Sequence, residues 1–404
     1  MPKANRSNMK KLKLCFYCDS IFSFGGVQRV LAVIAGELSK EHDVTILTHD
    51  NPKDTDTSMY DLNHTNIRFE YITYADLPFY EYLPCKTYSL LYKKILPQNK
   101  LTSHVYGYSS FPFSRRRKLI KILNDGNFDI IVGVHAFLSL YLASISHQLK
   151  AKTVGWMHNS YNAFFETKGL YLWNQKRQFI YEMPKLNCTI VLTKTDSKLF
   201  KDNLGLNTYS IYNPLTIVPE GRGNKTFKTF LAVGRFSYLA KGFDLLIEAF
   251  YLFSRKNNDW NLKIVGEGPE ETNIKNLIQK YNLEDRITIY PFTKDIQNHY
   301  ASASAFVLSS RWEGFPLVLA EAMAHYLPII ASDLPIVKEL FAQANNGYIF
   351  KCGNSADMAD KLLLFTETFE YDQMGNNSYN LSKSLSIQSI TNQWNLLFEN
   401  LLTK

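Results

Sequence analysis

Two glutamates stand eight positions apart in the segment EGFPLVLAEAMAHYLPIIASD, which begins at Glu313. Glu313 precedes a Gly-Phe-Pro turn, and Glu321 lies about two helical turns further along an apolar helix. Such a pair of carboxylates can hold two polar ends of one ligand. The spacing therefore predicts a ligand-binding site at this turn.

A pair of cations lies upstream of the glutamates. The segment AVGRFSYLAKGF ends an apolar strand with Arg235 and starts a helix near Lys241. Two fixed cations in a preorganised site stabilise the negative charge that develops on a departing phosphate. The alternative is a pair of ordinary surface cations at the ends of a strand and a helix. No acidic DxD cluster accompanies these cations and the two glutamates between residues 235 and 321, so we predict that the cations take the place of a metal ion.

Arg235, Lys241 and the segment from Glu313 to Glu321 together resemble the signature of retaining, nucleotide-sugar-dependent glycosyltransferases of family 4, which adopt the GT-B fold. The resemblance implies an α/β fold of two doubly wound, Rossmann-like domains that face an interdomain cleft. It implies that Glu321 accepts hydrogen bonds from the ribose and that Glu313 binds hydroxyls of the donor sugar. The loop from Arg235 to Lys241 is one residue longer than is usual in the family.

The same resemblance implies further donor contacts. Gly266 and Gly268, in a glycine-proline loop after a strand, would lie below the nucleotide, although a plain turn explains them equally well. Phe292 ends a strand where the family holds the base through backbone groups. Backbone amides after Glu313 would face phosphate and sugar, and they belong to Gly314, Phe315, Leu317 and Val318.

In the first half of the chain, SFGGVQRVLAVIAGEL joins a strand to a helix through Gly25 and Gly26. Two glycines let the backbone approach a ligand closely, and the helix N-terminus favours an anion. A plain tight turn is the alternative, and the third glycine of a dinucleotide fingerprint is missing, which argues against an NAD enzyme. The loop resembles the acceptor-side loop of the family, and we group both glycines with the donor-binding residues.

His158 ends a strand in the segment GWMHNSY, with Asn159 beside it. A lone histidine is more often structural than catalytic, but this position matches a histidine of the family. By resemblance, His158 would contact the primary hydroxyl of the donor sugar and help to orient the anomeric carbon, and Asn159 would join the donor-binding set. The predicted catalytic residues are His158, Arg235, Lys241 and Glu313.

The elements that position these residues alternate between short apolar strands and helical stretches. Strands are predicted at LKLCFYCD, HDVTILT, FDIIVGV, KTVGWMH and CTIVLT, and again at TFLAVGR, NLKIVGEG, ITIYPF, AFVLSS and PIIASD. This βαβ pattern predicts two parallel sheets with ligands at the carboxyl ends of the strands. We predict an acceptor-binding domain at 1–213, a linker at 214–228, a nucleotide-sugar-binding domain at 229–386, and a helix at 387–404 that crosses back to the first domain.

Composition is that of a globular protein, with 404 residues, 46% hydrophobic and 20% charged. No apolar run reaches the roughly 18 residues that span a bilayer. The basic N-terminus could begin a signal peptide, but Asp19 and the Gly-Gly turn favour a buried strand. Five scattered cysteines suit a reducing cytoplasm, and core packing is a better explanation for Cys15 and Cys18 than zinc binding or redox chemistry.

The region from residue 76 to residue 121 carries nine basic residues, two acids and many aromatic residues. This composition suits an anionic membrane surface and a lipid-linked acceptor. A solvated charged face over an aromatic core is an equal alternative, and no nucleic-acid partner is predicted because no binding motif accompanies the charge. We predict a cytoplasmic protein, with peripheral contact at the inner face of the cell membrane as one option.

The predicted function is retaining transfer of a hexose from a nucleotide-diphosphate sugar, taken as UDP-linked, to a saccharide or lipid-linked acceptor. The predicted context is surface polysaccharide, capsule or lipopolysaccharide biosynthesis, without a cofactor or metal. A glycosidase with two carboxylates would not need the Arg-Lys pair. The alternatives that stay open are a GT-B nucleotide-sugar epimerase, a phosphorylase with lysine-bound pyridoxal phosphate, and a non-catalytic nucleotide-sugar-binding module.

Overall fold

A computed structural model describes residues 10–167, 172–173, 175–293 and 295–403. The chain forms two compact units. The first unit takes the described residues of Met1–Ile211 and Thr391–Lys404, and the second unit is Tyr212–Ile390.

The first unit is built on a sheet of seven parallel strands. They are β1 (Lys13–Cys18), β2 (Asp43–Thr48), β3 (Arg68–Tyr71), β4 (Ile130–Val134), β5 (Lys152–Trp156), β6 (Cys188–Val191) and β7 (Thr208–Ser210). Their order in the sheet is β3-β2-β1-β4-β5-β6-β7. Its central strands are apolar along almost their whole length because helices cover both faces of a parallel sheet.

Eight helices connect these strands in the described part of the first unit. They are α1 (Gly26–Leu38), α2 (Phe79–Lys94), α3 (Lys100–Ser110), α4 (Phe113–Asp125), α5 (Ala136–Ile145), α6 (Tyr161–Phe165), α7 (Lys176–Glu182) and α8 (Lys194–Leu204). Short 3-10 turns lie at Pro52–Asp54, Met59–His64, Ser146–Gln148 and Met183–Lys185, and the second unit has one at Lys225–Phe227.

The second unit has a sheet of six parallel strands. They are β8 (Thr229–Val233), β9 (Asn261–Val265), β10 (Ile287–Tyr290), β11 (Ala305–Leu308), β12 (Ile329–Ser332) and β13 (Gly347–Phe350), in the order β10-β9-β8-β11-β12-β13. The remaining helices are α9 (Tyr238–Lys241), α10 (Phe243–Ser254), α11 (Glu271–Lys280), α12 (Ile296–Ala301), α13 (Leu317–Ala324), α14 (Pro335–Phe341), α15 (Ser355–Glu367), α16 (Tyr371–Ser384) and α17 (Ile387–Leu402).

Both sheets reverse their strand order at one point. In the first, β1 lies between β2 and β4, and in the second, β8 lies between β9 and β11. At such a point, the loops after two neighbouring strands lead to opposite faces of the sheet. They leave a crevice at the carboxyl ends of the strands, where doubly wound sheets bind their ligands. The α/β fold predicted from the strand rhythm is confirmed.

All ten strands predicted from the sequence are present, but three others were missed. The missed strands are β3, β7 and β13, and each lies at the edge of its sheet. Their residues are mostly half-buried, because an edge strand is covered less completely than a central one. They are also only three or four residues long, so they lack the continuous apolar run that identifies a central strand.

The C-terminal helix α17 contributes to the core of the first unit. The Trp394 ring lies 4.8 Å from that of Trp156 and 6.0 Å from that of Phe16. Asn395 Nδ2 donates to Glu41 Oε2 at 2.9 Å, and its Oδ1 lies 3.1 Å from His42 Nε2. Aromatic packing and polar contacts thus hold the end of the chain against the first unit.

The basic and aromatic region between residues 76 and 121 is not uniformly at the surface. Four of its residues are at most 5% exposed, namely Tyr92, Tyr106, Phe111 and Arg116. The prediction that the basic residues of this region face an anionic surface is therefore wrong for Arg116. Its guanidinium donates to the carbonyl oxygens of Phe111 and Gly107, which is a structural role. Across the described ranges, no helix is long and apolar enough to cross a membrane.

Candidate functional site

The residues predicted to bind the donor follow the carboxyl ends of neighbouring strands in the second unit. Arg235 follows β8, Gly266 follows β9, Phe292 follows β10 and Glu313 follows β11. Because β8 and β11 are paired, the segments that carry Arg235 and Glu313 leave the sheet side by side at its switch point. The side chain of Phe292 is 54% exposed at the same edge.

Lys241 and Glu313 form an ion pair at this edge. Lys241 Nζ lies 2.5 Å from Glu313 Oε1, and Ser310 Oγ donates to the same oxygen at 2.7 Å. The two charged side chains are 23% and 12% exposed, so solvent screens them less than it screens a surface pair. The structure brings two predicted catalytic residues into contact and adds Ser310, which is the second residue after β11 but was overlooked in the sequence.

Backbone geometry fixes the loop that carries Lys241. Gly242 has a φ of 63°, and a Cβ at this position would lie 2.2 Å from the carbonyl oxygen of Ser309. Ser309 Oγ in turn donates to the carbonyl oxygen of Lys241 at 2.8 Å. Glycine is required because both the left-handed conformation and the close approach exclude a side chain. These contacts hold Lys241 beside the segment that carries Glu313.

Arg235 is exposed, and its guanidinium makes no ion pair with any residue that the structure describes. Gly266 and Gly268 pack against its loop, with φ of 158° and 152°. A Cβ on Gly266 would lie 2.0 Å from Gly234 O, and a Cβ on Gly268 would lie 2.5 Å from Phe236 O. The two glycines therefore fix the loop that presents Arg235, and their contact with a donor stays a prediction.

Glu321 is buried within α13 and is 2% exposed. Tyr300 Oη donates to Glu321 Oε2 at 2.8 Å, and His325 Nδ1 donates to the Glu321 carbonyl at 2.8 Å. Burial lowers the pKa of His325, although the Glu321 carbonyl opposes this shift. The role of Glu321 toward a ribose stays a prediction. Tyr300 is a partner that the sequence did not indicate, because it lies on α12, 21 positions away.

The turn between the two glutamates is well packed. Gly314 and Phe315 are buried, Leu317 and Val318 are half-buried, and α13 begins at Leu317. The Phe315 ring lies 5.8 Å from that of Tyr212. Packing of Phe315 fixes the entry into α13, so the amides of this turn have a defined position at the edge of the sheet.

In the first unit, Gly25 caps α1 in an extended conformation, with φ 177°. Any residue can adopt this φ, so backbone conformation does not explain the glycine. Tyr60 Oη accepts a hydrogen bond from the Gly25 N–H at 3.0 Å and donates to Ser23 O at 3.0 Å. Gly25 and Gly26 are exposed, which leaves the start of α1 accessible.

Asp50 also holds this loop, and it was missed in the sequence. Its carboxylate accepts hydrogen bonds from Ser20 Oγ, Ile21 N–H and Thr48 Oγ1, each at 2.7 Å. Burial raises the pKa of Asp50, but these hydrogen bonds outweigh burial and lower the pKa overall. The only sequence signal was its position after β2, at the carboxyl edge of the sheet.

His158 follows β5, and its ring lies 4.2 Å from that of Trp156. Its Nε2 is buried and has no hydrogen-bond partner among the described residues. Burial, and then the nearby His135, hold the pKa of His158 well below its ordinary value, so the ring is neutral at pH 7. His135 follows β4 with a φ of 74°. Asn159 accepts a hydrogen bond from the N–H of the following residue.

The chemistry available at the second sheet is binding of an anion beside a hydroxylated group. An exposed guanidinium can hold a phosphate through two hydrogen bonds, and a fixed carboxylate can accept hydrogen bonds from hydroxyls. Within the described part of the chain, no three side chains of His, Cys, Asp or Glu are grouped so as to hold a metal ion.

Two family models match this chain. The model described as Glycosyl transferases group 1 matches residues 216–381, and the model described as Glycosyltransferase Family 4 matches residues 24–218. The chain is 31% identical to an uncharacterized glycosyltransferase of Haemophilus influenzae over 391 residues, which cover 95% of this chain and 98% of that protein.

Two further proteins are similar over much of the chain. Poly(ribitol-phosphate) alpha-N-acetylglucosaminyltransferase of Staphylococcus aureus is 29% identical over 323 residues, which are 78% of this chain and 61% of that protein. The crystal structure of Anabaena HepE in complex with UDP has a TM-score of 0.71 at 15% identity, and the match covers 96% of this chain and 100% of that one. At this identity, the likeness to HepE is a likeness of fold.

Proposed function

Because this chain belongs to the glycosyltransferases, in the family described as Glycosyl transferases group 1, we propose that it transfers a hexose with retention from a UDP-sugar to a saccharide or lipid-linked acceptor. The observation that carries the proposal is the contact of Lys241 with Glu313 at the switch point of the second sheet. The proposed context is the biosynthesis of a surface polysaccharide, capsule or lipopolysaccharide.

The cations in this proposal act on the leaving group. Departure of the nucleoside diphosphate breaks the bond between C1 of the sugar and a phosphate oxygen, and negative charge grows on that phosphate. Arg235 is exposed and Lys241 is fixed by its loop, so both can meet this charge with little rearrangement. This arrangement makes the proposed reaction independent of a metal ion.

Glu313 positions the sugar in this proposal. One of its oxygens accepts hydrogen bonds from Lys241 and Ser310, which fixes the direction of the other oxygen toward the sugar hydroxyls. The amides of Gly314, Phe315, Leu317 and Val318 face the phosphate and sugar, and Glu321 binds the ribose. The acceptor oxygen bonds to C1 on the face that the phosphate leaves, and the acceptor proton passes to the leaving phosphate.

His158 contributes to the same reaction as a neutral group. Its low pKa keeps the ring uncharged, so it can hydrogen-bond to the primary hydroxyl of the sugar without adding a cation near C1. Asn159, Gly25 and Gly26 complete the proposed donor contacts from the first unit. UDP is favoured as the carrier because HepE is similar in fold and was crystallised with UDP.

The proposal is tested by the stereochemistry of the product. The protein is incubated with a panel of α-linked UDP-, GDP- and ADP-hexoses and candidate saccharide acceptors, and the anomeric protons of the product are followed by NMR. We expect an α-linked product from a UDP-hexose, unchanged by EDTA. A β-linked product overturns retention, and a product that forms only with added divalent cation overturns the role given to Arg235 and Lys241.

The same experiment separates the alternatives. An epimerase converts the nucleotide sugar without any acceptor, and a non-catalytic module binds UDP but leaves the sugar intact. A phosphorylase needs lysine-bound pyridoxal phosphate and shows its absorbance band. The ion pair and the exposed Arg235 favour the transferase because both suit the departure of a diphosphate.

Contact with an anionic membrane forms a separate part of the proposal. Of the exposed large apolar side chains in the described residues, eleven lie between residues 79 and 113, on and beside α2 and α3. Lys86, Lys93, Lys94 and Lys100 are exposed among them. Apolar side chains surrounded by lysines suit insertion into an anionic lipid surface, where a lipid-linked acceptor would be present.

A further inference from the structure

The second unit contains a cavity that the proposed reaction does not use. Its volume is about 610 Å³, and it lies between the segment from Arg222 to Lys225 and the segment from Thr368 to Asp372. This volume falls within the range of about 300–1,000 Å³ that is usual for small-molecule sites. All of its lining residues belong to the second unit.

The cavity is at the opposite edge of the sheet from the predicted donor residues. Asn224 N–H donates to Ala303 O at 3.0 Å, and Ser304 Oγ donates to Asn224 O at 2.8 Å. Ser304 directly precedes β11, and Asn224 lies just before β8. The cavity therefore borders the amino ends of these strands, whereas Arg235 follows a carboxyl end. The strand β8 has five residues, which separates the two edges by about 15 Å.

The lining carries more positive than negative charge. Arg222 and Lys225 face one acid, Asp372, whose Oδ1 lies 3.3 Å from Arg222 Nη2. The Arg222 guanidinium is also 4.5 Å from the centre of the Tyr326 ring, and Lys225 Nζ donates to the Thr368 carbonyl. These contacts place both cations at the wall, where they outnumber the one acid, so an anion that enters the cavity meets a net positive charge.

Two aromatic residues complete the lining. Phe369 is fully exposed, with a relative accessibility of 102%, so its ring gives up no protein contact when a ligand covers it. Tyr371 is 8% exposed, and its buried hydroxyl has no hydrogen-bond partner among the described residues. An unpartnered buried hydroxyl is unfavourable, and a water or a ligand that reached it would remove the penalty.

We propose that this cavity is a second binding site, for a saccharide that carries a negative charge. The exposed Phe369 ring offers a flat apolar surface to the face of a sugar ring, and Arg222 and Lys225 offer partners for a carboxylate or phosphate. A protein partner fits less well because Phe369 is the one exposed apolar side chain in the lining, and stable protein interfaces bury a larger apolar core. The site does not depend on which sugar nucleotide the enzyme uses.

Ligand-observed NMR on the full chain tests the site with three probes. The probes are a hyaluronan tetrasaccharide, which is anionic, chitotetraose, which is neutral, and inorganic phosphate. We expect the hyaluronan tetrasaccharide to bind more tightly than the other two, with the same affinity when UDP is present. Phe369→Ala should weaken its binding about fivefold or more through loss of the aromatic face, and Leu364→Ala, an exposed apolar change on α15, should not alter it.

A second variant separates binding from folding. Arg222→Gln removes one wall cation, and we expect it to weaken the anionic probe while the weak binding of chitotetraose is unchanged. Equal binding of phosphate and the tetrasaccharide would overturn the saccharide assignment, and equal binding of chitotetraose would overturn the charge requirement. Competition by UDP, or binding that Phe369→Ala leaves intact, would place the probe elsewhere and overturn the site, whether or not the enzyme proves to be a retaining transferase.

Discussion

Lys241 Nζ lies 2.5 Å from Glu313 Oε1 in a partly buried position. If Lys241 acts on the leaving phosphate as proposed, Lys241→Met should lower kcat/KM about 100-fold because that cation is lost. The loss should appear mainly in kcat, since the cation acts most strongly on the charge that develops in the transition state. Steady-state kinetics with saturating acceptor measure this effect.

A matched control is available in the same unit. Lys275 and Glu271 are the same residue types at 2.6 Å, on the surface of α11. Lys275→Met should leave kcat/KM unchanged and alter the free energy of unfolding by less than about 1 kcal/mol. Equal kinetic loss in both variants would mean that Lys241 acts on folding and not on the reaction.

His158 gives a prediction about pH. Its pKa lies well below the ordinary value because of burial and His135, so the unfolded chain binds a proton at higher pH than the folded chain does. The contribution of neutral His158 to the free energy of unfolding is fully present above the ordinary histidine pKa of about 6.5. It is lost as pH falls below that value, because the unfolded chain then binds the proton first. His158→Asn should therefore reduce the fall in Tm between pH of about 7.5 and about 5.5. An unchanged fall in Tm in His158→Asn would contradict this account.

Local sequence identified residues that lie at strand ends, and it could not identify partners that lie elsewhere in the chain. Arg235, Lys241 and Glu313 were predicted because each follows or precedes a recognisable element. Tyr300, which binds Glu321, has no such signal, since its role depends on how α12 packs against α13. The alternation of strands and helices predicted the α/β fold. The ends of these elements predicted where Arg235 and Lys241 lie in the chain, but hydrogen-bond partners could be found only in the structure.

At the scale of elements, α2 and α3 show why a charged segment is hard to interpret from sequence. The stacked rings of Tyr92 and Tyr106, 4.3 Å apart, join the two helices. Arg116 is buried against backbone carbonyls, although it stands in a run of four basic residues. The pattern of charge does not say which cation points inward, because that depends on the contacts of α4 with α3 and α5.

The exposed apolar residues between 79 and 113 lead to a prediction about membrane binding. Phe79 and Tyr80 are 75% and 81% exposed. The double change Phe79→Ser and Tyr80→Ser should weaken binding to phosphatidylglycerol-containing vesicles about tenfold or more, because it removes two apolar groups that would insert into the lipid. Co-sedimentation with vesicles measures the effect. Leu396→Ser, on the exposed side of α17, serves as the control.

Charge variants on the same helices distinguish a membrane-binding surface from a solvated charged face. Lys93→Gln with Lys94→Gln should weaken vesicle binding by about 1 kcal/mol per residue, and only for anionic vesicles. If the aromatic and lysine variants bind all vesicles as the wild type does, the exposed surface of residues 79–113 has another role, and the solvated charged face becomes the better interpretation.

At the scale of the whole molecule, the two units each have a core of their own, and this leads to a prediction about unfolding. Arg235, Lys241, Glu313 and Glu321 all belong to the second unit, so UDP should stabilise that unit by mass action. Differential scanning calorimetry should then show one transition that moves to higher temperature with UDP and one that moves less.

Core variants assign the transitions. Leu246→Ala removes a fully buried side chain of the second unit, and Leu142→Ala removes one of the first unit. Each change should lower the Tm of its own unit, because the cavity that it leaves lowers the free energy of unfolding by about 2–5 kcal/mol. We expect UDP to raise the transition that Leu246→Ala lowers, and we expect Arg235→Ala to abolish that rise. A larger UDP shift of the transition lowered by Leu142→Ala would instead place the nucleotide on the first unit, since a ligand stabilises the part of the chain whose folded state it binds.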